Sequence, residues 1–199
     1  MNAPATRFTA SFAAHIEEIS TLAVDITDAL AETSEVMVHA LLSDNKVLCA
    51  GSGRFSALAG IFVSQLVTHD ERERPGLPAI ALSADSCLLN AVSESSQYAE
   101  ALARQVNTLG SPGDILFLLA GTSRNAETLV RAVRAAHERG LTVILCHGIN
   151  QVDALSLLGT QDVELAVAAA NPARLMESYL MLINCLCELI DQFLFGGEA

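Results

Sequence analysis

The sequence predicts an α/β fold: a doubly wound, parallel, five-stranded sheet with helices on both faces, plus N-terminal helices that belong to no βαβ unit. Three observations carry this. Five short apolar runs are separated mostly by helical stretches, the pattern of strands joined by right-handed crossovers. Two of the runs end in the same way, with a tight turn that opens directly into a helix. Hydrophobic residues make up 51% of the chain but aromatics only 5%, so Ala, Leu, Val and Ile must do most of the packing, as between helices and a parallel sheet.

The elements follow in order. From Thr6, the residues Phe8, Phe12, Ile16, Ile19, Ala23, Ile26 and Leu30 recur at three- and four-residue steps, predicting one amphipathic helix with a single apolar stripe. A second helix is expected from Ser34 to Leu42. The first strand runs from Lys46 to Ala50 and meets Gly51-Ser52-Gly53, after which helical sequence continues to Val67. The second strand is Ala79 to Leu82. The third, Asp114 to Leu119, passes through Ala120-Gly-Thr-Ser-Arg-Asn125 into a helix that ends at Arg139, before Gly140. Strands at Thr142 to Cys146 and Val163 to Val167 complete the sheet, and a long helix from Pro172 to Phe195 closes the chain, stopped by Gly196-Gly197. No linker or low-complexity tract divides these segments. The expectation is one domain over 1–199, with the N-terminal helices in 1–43 and the sandwich and last helix in 46–195.

Bulk properties narrow the function. A chain of 199 residues can bury about two-thirds or more of its unfolded surface in one core. A formal charge of −12 and a pI near 4.7 oppose direct nucleic-acid binding, and no basic cluster offsets them. The start, MNAPATRFTA, lacks the order of a secretory signal, and no uninterrupted apolar run reaches the ~18 residues of a membrane span, so a cytoplasmic protein is expected. Five cysteines (Cys49, Cys87, Cys146, Cys185, Cys187) contain no C-x-x-C pair and read as reduced thiols packed as small hydrophobes. Cys185 and Cys187, two apart on a helix, point to different faces and do not suggest a metal site. Of the five histidines, His15 and His39 fall in the N-terminal helices, His69 opens a charged run and His137 lies on a helix. His147 alone ends a strand near the turns, and it reads as a loop residue.

Ligands of open α/β sheets collect at the carboxyl ends of strands, where helix N-termini offer free N–H groups to anions. Gly51, Ser52, Gly53 and Arg54 at the first turn, with Thr122, Ser123, Arg124 and Asn125 at the second, therefore form the candidate phosphate or sugar-phosphate pocket.

The segments Gly51-Ser-Gly53, Arg74-Pro-Gly-Leu-Pro-Ala-Ile-Ala-Leu82, Gly110-Ser-Pro-Gly-Asp114, Leu158-Gly-Thr-Gln-Asp-Val-Glu164 and Asn184-Cys-Leu-Cys-Glu-Leu-Ile-Asp191 closely resemble the phosphoheptose isomerase (GmhA) branch of the sugar-isomerase (SIS) proteins. The resemblance runs from the first helix to Phe195. It implies that a histidine and a glutamate on the helix after the first turn should face a glutamine and a histidine on the last helix, to bind metal and move a proton. This chain carries Ile61 and Gln65 on the first of those helices, and Met176, Tyr179 and Asn184 on the last. Ile and Met transfer no proton, Asn and Gln do not titrate, and Tyr is a poor base at neutral pH. None of the five offers the imidazole, thiolate or carboxylate that a catalytic metal wants, so no catalytic residue, metal or cofactor is assigned.

The phosphate turns depart from the family as well. Phe55 and Ala126 stand where the family has hydroxyls, and one residue is inserted between Asp114 and Thr122. Arg54 and Arg124 enter positions the family keeps small, as anion ligands, as a plug for an emptied pocket, or as solvated surface groups. The resemblance implies a homotetramer, a dimer of dimers, that binds a DnaA-type initiator protein and helps it assemble at the chromosomal origin. Leu194 and Phe195 are its candidate contact, with a core anchor for the last helix as the alternative reading of Phe195. A sedoheptulose 7-phosphate isomerase and a sugar-phosphate sensor are the competing functions.

Overall fold

The computed structural model describes residues 3–68, 73–82, 86–95, 97–121, 126–148, 153–169 and 171–196. The first two helices are α1 (Ala3–Asp25) and α2 (Thr27–Leu42). Strand β1 (Val47–Gly51) leads through a 3-10 turn at Gly53–Phe55 into α3 (Ser56–Val67). Strand β2 (Ala79–Ala81) is followed by two short helices, α4 (Ser86–Glu94) and α5 (Ala101–Leu109). Next come β3 (Ile115–Leu119), α6 (Ala126–Arg139), β4 (Thr142–Gly148), a 3-10 segment at Asp153–Leu157, β5 (Val163–Val167) and α7 (Pro172–Phe195).

All strand pairings are parallel and the order is β2-β1-β3-β4-β5, so the predicted doubly wound sheet is present. Reversal of strand order between β1 and β3 opens a crevice at their carboxyl ends, the usual ligand position in this architecture. The two strands pair in register from Val47 opposite Ile115 to Gly51 opposite Leu119. Both predicted turns therefore leave the sheet side by side.

Alternation along the strands sorts the core into two layers. Val47, Cys49, Ile115, Phe117, Ile144 and Cys146 face α2, α3 and α7. Leu48, Ala50, Leu116, Leu118, Val143 and Leu145 face α5 and α6. The crossover between β4 and β5 carries a 3-10 segment where the other crossovers carry α-helices.

One expectation needs correction. The apolar repeat from Phe8 to Leu30 is not a single helix, and the second helix does not start at Ser34. The chain bends at Ile26, whose φ of −101° and ψ of −6° depart from the helical values on either side, and α2 begins at Thr27. Thr33 and Ser34, which resemble helix-starting residues in sequence, are buried inside α2, and their hydroxyls donate to Ala29 O and Ala31 O at 2.7 Å each. Of the predicted stripe only Ile26 is buried, beside Leu22, which the stripe did not include, whereas Phe8, Phe12 and Ile16 are 67%, 56% and 63% exposed.

Helix α7 begins as predicted. The Asn171 side chain accepts from the N–H groups of Ala173 and Arg174, and Pro172 occupies the first turn. By length and composition α7 could cross a bilayer, which the sequence reading did not anticipate. Its Leu175, Tyr179, Leu182, Ile183, Leu186 and Ile190 instead pack into the sheet core.

Candidate functional site

The site starts from the contact between the two turns. A Cβ on Gly51 would come within 2.2 Å of the Phe55 carbonyl oxygen, so only glycine lets the chain fold back so tightly. Gly53 then adopts φ +55°, a conformation glycine reaches without strain. The Ser52 N–H donates to Leu119 O at 3.0 Å, and the Gly121 N–H donates to Ser52 Oγ at 2.7 Å. The first turn is thus bonded to the second. A backbone donor that could face an anion is engaged by a side chain of the same protein.

Phe55 explains the rest of the closure. It is buried, and a Cβ on Gly121 would lie only 2.6 Å from its ring, so ring and glycine are in close contact. On its other side the Phe55 ring meets the Tyr179 ring at 5.3 Å between centroids, tilted by 59°. Arg54, by contrast, is exposed. The space below the first turn is filled by Phe55, and Arg54 does not fill it. Thr122, Ser123, Arg124 and Asn125 lie outside the described residues.

A small cleft of about 60 Å³ remains beside the first turn, on the α4–α6 side. Ser52, Ser56 and Thr128 contribute to its lining, together with Leu89, Leu102 and Leu129. Ser56 and Thr128 were missed by sequence reasoning. Ser56 could have been found: it directly follows Phe55, so the hydroxyl of the family pattern has an equivalent one residue later at the start of α3. Nothing local in the sequence marks Thr128, which reaches the cleft only because α6 packs beside α5.

One pair of the positions expected to face across α3 and α7 meets directly. Gln65 Nε2 donates to Asn184 Oδ1 at 2.9 Å, joining two neutral amides. Tyr179 is buried and its hydroxyl donates to Ala120 O at 2.8 Å, tying α7 to the end of β3. Burial, and then the neighbouring Cys146 thiol, push the Tyr179 phenol far above its usual range, so it holds its proton. Ile61 is exposed and Met176 half-buried on the same two helices. A catalytic metal does not fit this set, because two amides, a phenol that holds its proton, an isoleucine and a methionine include no imidazole, thiolate or carboxylate. Among the described residues no three His, Cys, Asp or Glu side chains gather into a metal-binding group.

Three of the five histidines are tied into the fold. His147, expected in a loop, is instead a buried residue of β4, with Nε2 2.8 Å from Glu164 Oε1 and Nδ1 2.7 Å from Gly148 O. His15 Nε2 lies 3.0 Å from Glu177 Oε2 and joins α1 to α7. His137 pairs with Asp162 at 2.7 Å, His39 is exposed and His69 lies outside the described residues.

At the end of α7, Leu194 and Phe195 are half-buried and pack against the core. The Phe195 ring centroid lies 5.7 Å from the guanidinium carbon of Arg74. Arg74 also makes an ion pair with Asp191, Nε to Oδ1 at 2.8 Å, although its N–H is not aligned as a hydrogen bond.

Comparison with known proteins agrees with this layout. The chain is 38% identical to the DnaA initiator-associating protein DiaA of Klebsiella pneumoniae over 192 residues, 96% of this chain and 97% of that one. It is also 38% identical to the DiaA of Photorhabdus laumondii over 173 residues, covering 87% and 88% of the two chains. A phosphoheptose isomerase of Francisella tularensis superposes with a TM-score of 0.90 at 32% identity, covering 96% of this chain and 99% of that one. Residues 7–147 match the SIS domain, and with relatives this similar over nearly the full length, the chain belongs to the SIS family.

Proposed function

We propose that this chain is a non-catalytic SIS scaffold that binds a DnaA-type initiator and promotes its assembly at the chromosomal origin. The observation that carries the proposal is the Gln65–Asn184 amide pair, which occupies the place of a proton-transfer pair in a chain 38% identical to DiaA proteins. An aldose–ketose isomerisation needs a base that can take a proton from carbon near neutral pH. Two amides bonded to each other and a phenol donating to a carbonyl supply none.

A scaffold of this kind gains from valency. In a cytoplasmic homotetramer, built as a dimer of dimers, each copy would present the same contact, and linked weak contacts would bind several initiator molecules more tightly than one. The exposed Phe8, Phe12 and Ile16 of α1 supply apolar surface for such an assembly. Leu194 and Phe195 are the proposed initiator contact, because they bring apolar surface to the polar end of α7. They also pack on the core, so contact and anchor are both open to them.

One observation favours a second reading. The cleft beside the first turn keeps the hydroxyls of Ser52, Ser56 and Thr128, and exposed Arg54 lies close in sequence, which suits a sensor that binds a sugar phosphate without converting it.

One set of measurements separates the readings. Purified protein should retain immobilised DnaA, and should give neither turnover nor heat with sedoheptulose 7-phosphate, with or without zinc. Turnover would establish the isomerase. Heat without turnover, lost in Arg54→Ala, would establish the sensor. Failure to retain DnaA would end the scaffold reading.

A further inference from the structure

Arg74 is a charged side chain held almost entirely inside the fold. It is only 2% exposed, and from the stretch before β2 it reaches both the end of α3 and, far along the sequence, Asp191 and Phe195 of α7. Helix α3 ends at Val67, so the carbonyls of its last turn lack intrahelical partners. Arg74 serves two of them: Nη1 donates to Leu66 O at 2.9 Å, which also accepts from the Leu77 N–H at 2.9 Å, and Nη2 donates to Gln65 O at 3.0 Å. Nη1 also donates to Pro75 O at 3.0 Å, and Nε faces the Asp191 carboxylate. With its edges turned to these groups, the guanidinium sits over the Phe195 ring, its carbon 5.7 Å from the ring centroid.

We propose that Arg74 is a positioning residue for the partner-contact end of α7. Its guanidinium is a flat charged shelf that holds Phe195 in the orientation in which the initiator meets it. This rests on the reading of Leu194 and Phe195 as the contact.

The reasoning is one of preorganisation. A large side chain on the last turn of a helix frays and samples several rotamers, and ordering it on binding weakens the complex. A ring already laid on a fixed shelf needs no such ordering, which is how aromatic anchors come to dominate small interfaces. The shelf is fixed because it is bonded to two other parts of the fold, the end of α3 and Asp191 one turn before Phe195, and to the carbonyl of its own neighbour Pro75. Lysine keeps the charge at this position but has neither the flat face nor the fork that reaches several carbonyls at once.

The test is a double-mutant cycle on DnaA binding, with fluorophenylalanine-labelled protein reporting on the ring by NMR and the 195 line assigned by its absence in Phe195→Leu. Arg74→Lys should weaken DnaA binding about tenfold or more and move the 195 line toward its position in urea-unfolded protein. It should add no further loss in a Phe195→Ala background. Equal loss from Arg74→Lys in both backgrounds would overturn the proposal, as would unchanged binding in Arg74→Lys when Phe195→Ala binds poorly. Should Arg74→Lys fail to fold, the same cycle on Asp191→Asn decides, with a smaller loss and the same direction of line shift expected. Wild-type binding by Phe195→Ala would sink the contact reading itself; an unmoved 195 line would sink the shelf, whatever the binding.

Discussion

Phe55 and Tyr179 change what the first turn can do while leaving its shape intact. Where a hydroxyl would face a phosphate, Phe55 presents a ring that fills the space between Gly121 and Tyr179, and the Tyr179 hydroxyl is committed to Ala120. Returning a hydroxyl by Phe55→Ser would therefore not restore a cradle. It would leave a cavity, and by analogy with other large-to-small core changes it should cost about 3–5 kcal/mol. Urea denaturation followed by circular dichroism measures this, and a loss below about 1 kcal/mol would mean that the ring fills nothing. The sequence made this residue visible as a departure from the family pattern, but not its consequence. That Phe55 is the filler and Arg54 lies exposed depends on which of two adjacent side chains turns inward, and a 3-10 turn decides that.

At the scale of elements, α1 carries the largest mismatch between composition and burial. Arg174 reaches back from α7 to the Ser11 side chain and carbonyl, and His15 pairs with Glu177, so α1 is held by polar contacts on one side. The Phe8, Phe12 and Ile16 stripe stays open, and the Phe8 and Phe12 rings meet at 4.8 Å between centroids, tilted by 47°. If that stripe is where copies of the chain meet, Phe12→Glu should lower the mass seen by light scattering to that of a smaller assembly, with the circular dichroism spectrum preserved. An unchanged mass would place the interface elsewhere. Helix periodicity made the stripe legible in the sequence, and apolar runs with turn residues made all five strands legible. The bend at Ile26 was not legible, because neither Gly nor Pro marks it and the true interior residues Thr33 and Ser34 imitate a helix start. The facing of Gln65 and Asn184, 119 positions apart, became readable only through the family resemblance; no local pattern encodes a pairing across two helices.

Across the whole molecule, three thiols lie on the same side of the sheet: Cys49 on β1, Cys146 on β4 and Cys187 on α7. Burial is the main cause that raises all three above the ordinary thiol value of 9.0, Cys187 up to about 12. In the unfolded chain these thiols ionise from about pH 9 upward, whereas in the folded protein they keep their protons, so the unfolded state binds fewer protons there. Stability is therefore full below pH 9 and falls as pH rises toward 12, by about 1.4 kcal/mol per unit for each buried thiol. Urea midpoints should drop between pH 8 and pH 10, and less steeply in Cys187→Ala; equal slopes would mean that the thiol is not protected. The bond from Gly121 N–H to Ser52 Oγ has a different reach. Any anion that used this N–H would first have to break a bond worth about 1 kcal/mol, which weakens its affinity about fivefold. An anion held by that N–H would need about five times the concentration to reach the same occupancy as it would with the donor free.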